Sequence, residues 1–235
     1  MSKDDAQSIY KSRSGPDFSL SSVGIQAKGR TTILRLNYRN TREILEFAYA
    51  FISYYLSPHN ADNDHIPVLK PESTGVNGVM PVVRQFDTLA DEVKYSVDCL
   101  RKWHTDGVPW YDMAVLYTAK YQGDMLTERL QKYDVPHALF NTREAKLTYD
   151  PLVDQVTVLT IHSSKGLEFP RVIITGISQM KAEKNRQEKN ARLLYVGMTR
   201  AQKCLLMTVS SKSEYSDRLL EIGSSKSLLK HLNIA

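Results

Sequence analysis

The sequence predicts an α/β fold, a mostly parallel sheet flanked by helices, on two observations. Short β-rich runs alternate along the chain with longer segments of helical period. One such segment, residues 41–56, sets Ile44, Phe47, Ala48, Phe51, Ile52 and Tyr55 on one helical face, the pattern of a helix packed on a sheet. At 235 residues and 42% hydrophobic, the chain is long enough to bury a full core.

In chain order, strands are expected at residues 31–36, 81–86, 112–118, 156–160, 171–177 and 204–209, each an aliphatic or β-branched run bounded by polar residues. Helices are expected at 41–56, 88–104 and 122–133. A further helix carries Leu194, Tyr195 and Met198 inward and ends near Arg200. Asn40 with Glu43 three residues on resembles a capping box and marks the start of the first helix. The tract 57–80, rich in Pro, Asn, Gly and Asp, reads as a surface loop. Residues 1–30 have no sustained period and read as a remnant or linker from a preceding domain, with the folded unit at 31–235.

The formal charge of +5 and a pI of about 9.0 tilt the chain toward an anionic partner, although the excess is spread and not gathered into a tail. Cys99 and Cys204 are far apart and form no C-x-x-C, which argues against a disulfide framework and a zinc ribbon and fits a reducing, intracellular setting. No apolar run approaches twenty residues, and the N-terminus has neither a signal-peptide core nor a transit-peptide composition, so no membrane partner is expected.

Three segments carry chemistry. In "LRLNYRNTREILEF", Tyr38 and Arg39 fall at the carboxyl end of a strand, where open α/β sheets bind ligands. A ring for a base and a guanidinium for a phosphate would suit that place; a buried Tyr and a surface Arg is the plainer explanation of the pair when the segment is taken alone. In "VTVLTIHSSKGLEFPRVIITGI", two strands flank a loop bearing Thr160, His162, Ser163, Ser164 and Lys165, donors suited to a sugar-phosphate backbone. Gly166 allows a tight turn with close approach to a ligand, and Glu168 is a candidate acceptor for a ribose hydroxyl. The plainer account is a packed histidine and an ordinary turn, and no second His stands at metal-ligand spacing. In "RLLYVGMTRA", Arg200 is either a cation closing a helix, worth about 0.3–1 kcal/mol against the helix dipole, or an arginine finger aimed at a γ-phosphate.

Together the segments resemble the C-terminal motor domain of a superfamily 1 DNA helicase of the UvrD/Rep/PcrA family. "LNYRNTREI" is similar to that family's motif IV, "VTVLTIHSSKGLEF" to motif V, "RLLYVGMTRAQKCLLM" to motif VI, and "DDAQSIY" to the end of motif III. The resemblance implies a RecA-like fold and specific roles. Gln7 would sense the γ-phosphate, Tyr38 would stack on adenine, and Arg39 and Arg200 would reach the γ-phosphate. Glu168 would contact the ribose, with Gly166 beside it. Thr160 and His162, with Ser163 and Lys165 in the same loop, would hold single-stranded DNA. The implied ligands are ATP with Mg2+, and the implied partners are single- and double-stranded DNA and an N-terminal motor domain. The implied setting is cytoplasmic, at the nucleoid.

The sequence departs from the family in ways that carry expectations of their own. No Gly is followed by Lys, so there is no phosphate-cradling G-x-x-x-x-G-K-[ST] loop, and no apolar strand ends in an acidic pair; the chain alone is expected not to hydrolyse ATP. Ser12 stands where the family usually has an aromatic after motif III, which weakens base stacking from that segment. The stretch Phe140 to Gln155 leaves room only for a short linker where larger relatives insert an accessory domain, and the tail after Val209 is too short for a nuclease domain. The alternative function is a stand-alone module for nucleic acid or a protein partner that lost the chemistry, or an arginine donor acting on a separate ATPase.

Overall fold

The structure, a computed structural model, describes residues 36–37, 39–56, 72–73, 76–142, 145, 147–180 and 186–224. Gln7, Tyr38 and the whole 1–30 segment lie outside the described residues.

Six strands form one all-parallel sheet: β3 (Val82–Gln85), β4 (Met113–Tyr117), β5 (His137–Phe140), β6 (Val156–Thr160), β7 (Phe169–Thr175) and β8 (Ala201–Val209), in the spatial order β3-β8-β7-β4-β6-β5. The side-chain period of two divides each strand between two cores. On β4, Ala114 and Leu116 face one way and Met113, Val115 and Tyr117 the other, all fully buried. A strand buried on both faces must be apolar throughout, which is why "MAVLY" shows no polar alternation.

Helices α2 (Leu89–Thr105) and α3 (Lys120–Lys132) cover one face, through Val93, Val97, Leu100, Leu126 and Leu130. Helices α1 (Arg42–Tyr55), α4 (Gln187–Met198) and α5 (Glu214–Ser224) cover the other. All six residues expected on the inner face of α1 are buried there, Phe51 and Ile52 completely. Burying such a side chain contributes about 1.5–3 kcal/mol, and this stripe is what holds α1 to the sheet.

Several elements differ from the sequence reading. The capping box at α1 does not form: the N-cap is Thr41, without a side-chain bond, and Asn40 and Glu43 are engaged elsewhere. Leu36 and Asn37 form β1, which pairs in parallel with β2 (Glu72–Ser73) as a separate two-stranded sheet, so Arg39 does not follow a strand of the main sheet. β2 also places a strand inside the tract read as loop. β5 and α5 were not expected; "HALF" is short and half-exposed for most of its length, so its pattern is weak. Between β5 and β6, the described residues of 141–155 hold turns and isolated helical positions.

Candidate functional site

The three chemical segments meet at the amino edge of β7 and β8. Thr41 donates its N–H to the Gln202 carbonyl at 3.1 Å, and Phe169 donates to the Arg200 carbonyl at 2.9 Å. Asn40, 3% exposed, donates its side-chain amide to the Thr199 carbonyl at 3.0 Å and also to the Ala201 carbonyl. The carbonyls of the two residues that flank Arg200 are therefore gripped by the residue that follows Arg39. A buried amide that satisfies two carbonyls fixes the relative positions of segments about 160 residues apart, which helix capping could not do.

On this frame, Arg39 lies at the surface and its guanidinium donates to the Glu168 carboxylate at 2.8 Å. Arg200 is 4% exposed. Its guanidinium donates to the carbonyls of Val196 at 3.0 Å and Leu167 at 3.2 Å and lies 3.3 Å from the Thr199 hydroxyl. Adjacent residues, Leu167 and Glu168, thus hold the two arginines, with one on a carbonyl and the other on a carboxylate. Arg39, Glu168 and Arg200 come together as the sequence reading grouped them, but at the amino edge of the sheet and not at the carboxyl ends of its strands.

The segment between β6 and β7 joins this cluster to the opposite edge. Thr160 ends β6 at the carboxyl edge, where it pairs in register with Tyr117, itself the partner of Thr175. Thr160 caps the following 3-10 turn, Ile161–Ser164, accepting the Ser163 N–H at 3.1 Å and sharing a 2.7 Å hydroxyl–hydroxyl bond with Ser163. His162 and Lys165 are exposed. The chain then reverses through a type II turn, with Lys165 at φ −58° and ψ 124°, Gly166 at φ +87°, and the Leu167 N–H on the Ser164 carbonyl at 3.0 Å. Position three of such a turn demands positive φ, which accounts for Gly166. Helix α4 packs closely on this turn: a Cβ on Gly197 would meet Ile161 Cγ2 at 3.1 Å and Ile174 Cδ1 at 3.2 Å.

A buried polar network stiffens the carboxyl edge. Glu92, fully buried in α2, accepts from the Thr208 hydroxyl at 2.7 Å, the Gly176 N–H at 3.0 Å and the Thr175 hydroxyl at 3.1 Å. Gln122, also fully buried, accepts the N–H groups of Thr118 and Ala119 at 2.9 and 3.0 Å. Burial pushes the Tyr117 phenol up to about 12, with Asp124 adding to it. Burial also raises the thiols of Cys99 and Cys204, which argues against reactive cysteines. Among the described residues no group of three or more His, Cys, Asp or Glu could hold a metal ion, and no helix is long and apolar enough to cross a membrane.

Sequence reasoning missed Asn40 as a tether, because Asn before a helix reads as a cap and its partners lie too far along the chain to show a local pattern. It also missed Glu92 and Gln122, polar residues of amphipathic helices that are fully buried.

Comparison with known proteins gives consistent results. The model of the UvrD-like helicase C-terminal domain family matches residues 32–147 and 138–212. The chain is 38% identical over 84 residues to the ATP-dependent DNA helicase Rep of Salmonella typhimurium, covering 33% of this chain and 12% of that protein. It is 42% identical over 79 residues to DNA helicase II of Escherichia coli, covering 31% of this chain and 11% of that protein. The chain thus matches about an eighth of the length of these curated relatives. Among solved structures, the C-terminal domain of a possible DNA helicase from Lactobacillus plantarum superposes with a TM-score of 0.56 at 22% identity, covering 82% of this chain and 96% of that one, a likeness of fold.

Proposed function

The chain belongs to the UvrD-like helicase C-terminal domain family, and from that premise we propose that it serves as the second motor half of an ATP-dependent DNA helicase. The observation that carries this reading is the two-ended segment 160–168. Its first residues present hydroxyls, His162 and Lys165 from the carboxyl edge, and its last residues hold Arg39 and Arg200 at the amino edge. One edge suits a sugar-phosphate backbone, the other a polyphosphate.

In this reading Arg39 and Arg200 complete an ATP site whose phosphates and Mg2+ are held mainly by the first motor domain of the same protein. ATP supplies the free energy for stepping. Arg200, now on the Leu167 carbonyl, and Arg39, now on the Glu168 carboxylate, would hold the γ-phosphate and supply positive charge for its transfer. Glu168 would accept a ribose hydroxyl, with Gly166 in the turn beside it. Thr160, His162, Ser163 and Lys165 hold the single strand. Tyr38 for adenine and Gln7 for the γ-phosphate complete the proposal from outside the described residues. The direct-contact rate effect of an arginine finger is about 10³ to 10⁵, so Arg200 is the residue on which turnover depends most.

A second reading has one observation behind it. Arg200 is 4% exposed and donates to backbone carbonyls as a structural cation does, and a module that kept the fold for binding alone would look the same.

The test is single-strand binding by the purified chain, read by fluorescence anisotropy. The expected result is an affinity that falls linearly on a log scale as salt rises, weakened by His162→Ala and Lys165→Ala. No binding at low salt, or binding indifferent to salt, overturns the DNA-holding role. ATP turnover by the chain alone is expected to stay at background, and robust Mg2+-dependent hydrolysis would overturn the division of labour.

A further inference from the structure

Beside the Thr160 turn, the next strand of the sheet ends in a second presentation surface. β4 and β6 are register neighbours, Tyr117 opposite Thr160, and adjacent strands lie about 4.8 Å apart. Three residues after Tyr117, α3 begins at Lys120, and its second residue is Tyr121. Tyr121 is 49% exposed and takes part in no ring stacking or cation contact among the described residues. Lys120 beside it is exposed as well.

The turn that carries this ring is held rigidly. The Gln122 side chain, fully buried, takes the N–H groups of Thr118 and Ala119. Thr118 in turn donates its hydroxyl to the Gly176 carbonyl at 2.8 Å, tying the loop to the end of β7. Gly123 lies against Tyr117, where a Cβ would come within 2.6 Å of the ring, so the first turn of α3 is pressed onto the strand end. Residues 122 and 123 are therefore committed inward, and residue 121, on the opposite side of the same turn, is committed outward.

We propose that Tyr121 is a base-stacking side chain of the single-strand surface, carried on the first turn of α3 after β4, beside the turn that follows Thr160 at the end of β6. An exposed ring on a rigid mount loses little entropy when a base lies on it, and every base offers a π-face, so the contact is tolerant of sequence. Lys120 and Lys165 flank the two turns with positive charge for the backbone. The ring thus supplies the stacking that Ser12 does not offer. This inference rests on the single-strand role proposed above and names a residue outside the three motif segments.

The test is the affinity of the full chain for a fluorescein-labelled single strand containing 2-aminopurine, for the parent protein, Tyr121→Ala and Tyr121→Phe. Tyr121→Ala is expected to weaken binding about five-fold to hundred-fold and to lose the quenching of 2-aminopurine, the effect of removing one stacking ring. Tyr121→Phe keeps both affinity and quenching. The salt slope stays that of the parent protein, because the ring neutralises no phosphate. Equal affinity and quenching for Tyr121→Ala and the parent protein overturn the assignment while leaving the single-strand role intact. Loss of affinity with a changed salt slope also overturns it, by placing the loss in charge contacts. A parent protein that does not bind overturns the single-strand role and this assignment together.

Discussion

Replacing Asn40 by Ala removes the donor shared by the Thr199 and Ala201 carbonyls without touching Arg39 or Arg200. Both bonds are buried, and each buried acceptor left without a donor costs about 1–3 kcal/mol. Partial water entry at the edge of the sheet lowers the upper figure, so the loss is about 2–4 kcal/mol, a large share of the roughly 5–15 kcal/mol of a typical domain. Asn40→Asp is the sharper variant. It conserves size and shape but turns carboxylate oxygens toward two carbonyl oxygens, so it is expected to destabilise more than Ala. Urea unfolding followed by far-UV circular dichroism measures both, with an unchanged denaturant slope as the sign that only stability has moved. If Asn40→Ala lies within about 0.5 kcal/mol of the parent protein, the range of an ordinary surface substitution, the tether between the arginine segments is not real. Equal losses for Ala and Asp would also refute it.

Gly176→Ala forces a left-handed residue, φ +72°, and sets a Cβ 2.3 Å from the Gln122 amide nitrogen, so about 2–4 kcal/mol is expected to be lost in the same assay. Gly166→Ala meets nothing within 4 Å and is expected to lose only the conformational part, about 1–2 kcal/mol; equal losses at the two positions would contradict the close approach at Gly176. The phenol of Tyr117 is pushed up to about 12, and that of Tyr55 is raised further, each chiefly by burial. A raised folded-state value means that stability is fully present below the unfolded value of about 10 and is lost as pH climbs through the folded value. Alkaline unfolding followed at the tyrosinate absorbance is therefore expected to show these two phenols ionising with the loss of structure, and ionisation of all phenols near pH 10 in folded protein would contradict their burial.

The sheet was legible because its strands are apolar on both faces and bounded by polar residues; "MAVLY", "VTVLT" and "CLLMTV" leave little choice. Helix α1 was legible down to its individual inward residues. What failed was local inference where a distant partner decided the outcome. Asn40 and Glu43 have the spacing of a capping box, but Asn40 finds Thr199 and Ala201 and the Glu43 carboxylate accepts the Gly78 N–H at 2.7 Å, so long-range bonds displaced the local pair. β5 is half-exposed for most of its length, so its short run carried no decisive period. The candidate site was legible in its members Arg39, Glu168 and Arg200 but not in its place. Only the pairing of Leu36–Asn37 with Glu72–Ser73 shows that Arg39 leaves a separate small sheet and reaches the amino edge of β7.

The central claim is that opposite edges of one sheet serve opposite ligands, with residues 160–168 running between them. The most direct measurement is a two-dimensional amide NMR titration of the 15N-labelled chain with a short single-stranded DNA. The account predicts that the first and largest shifts fall at Thr118–Tyr121 and Thr160–Ser163, with the amides of Asn40, Phe169 and Arg200 moving later or not at all. Shifts centred on Asn40, Phe169 and Arg200, with the carboxyl edge silent, would contradict it.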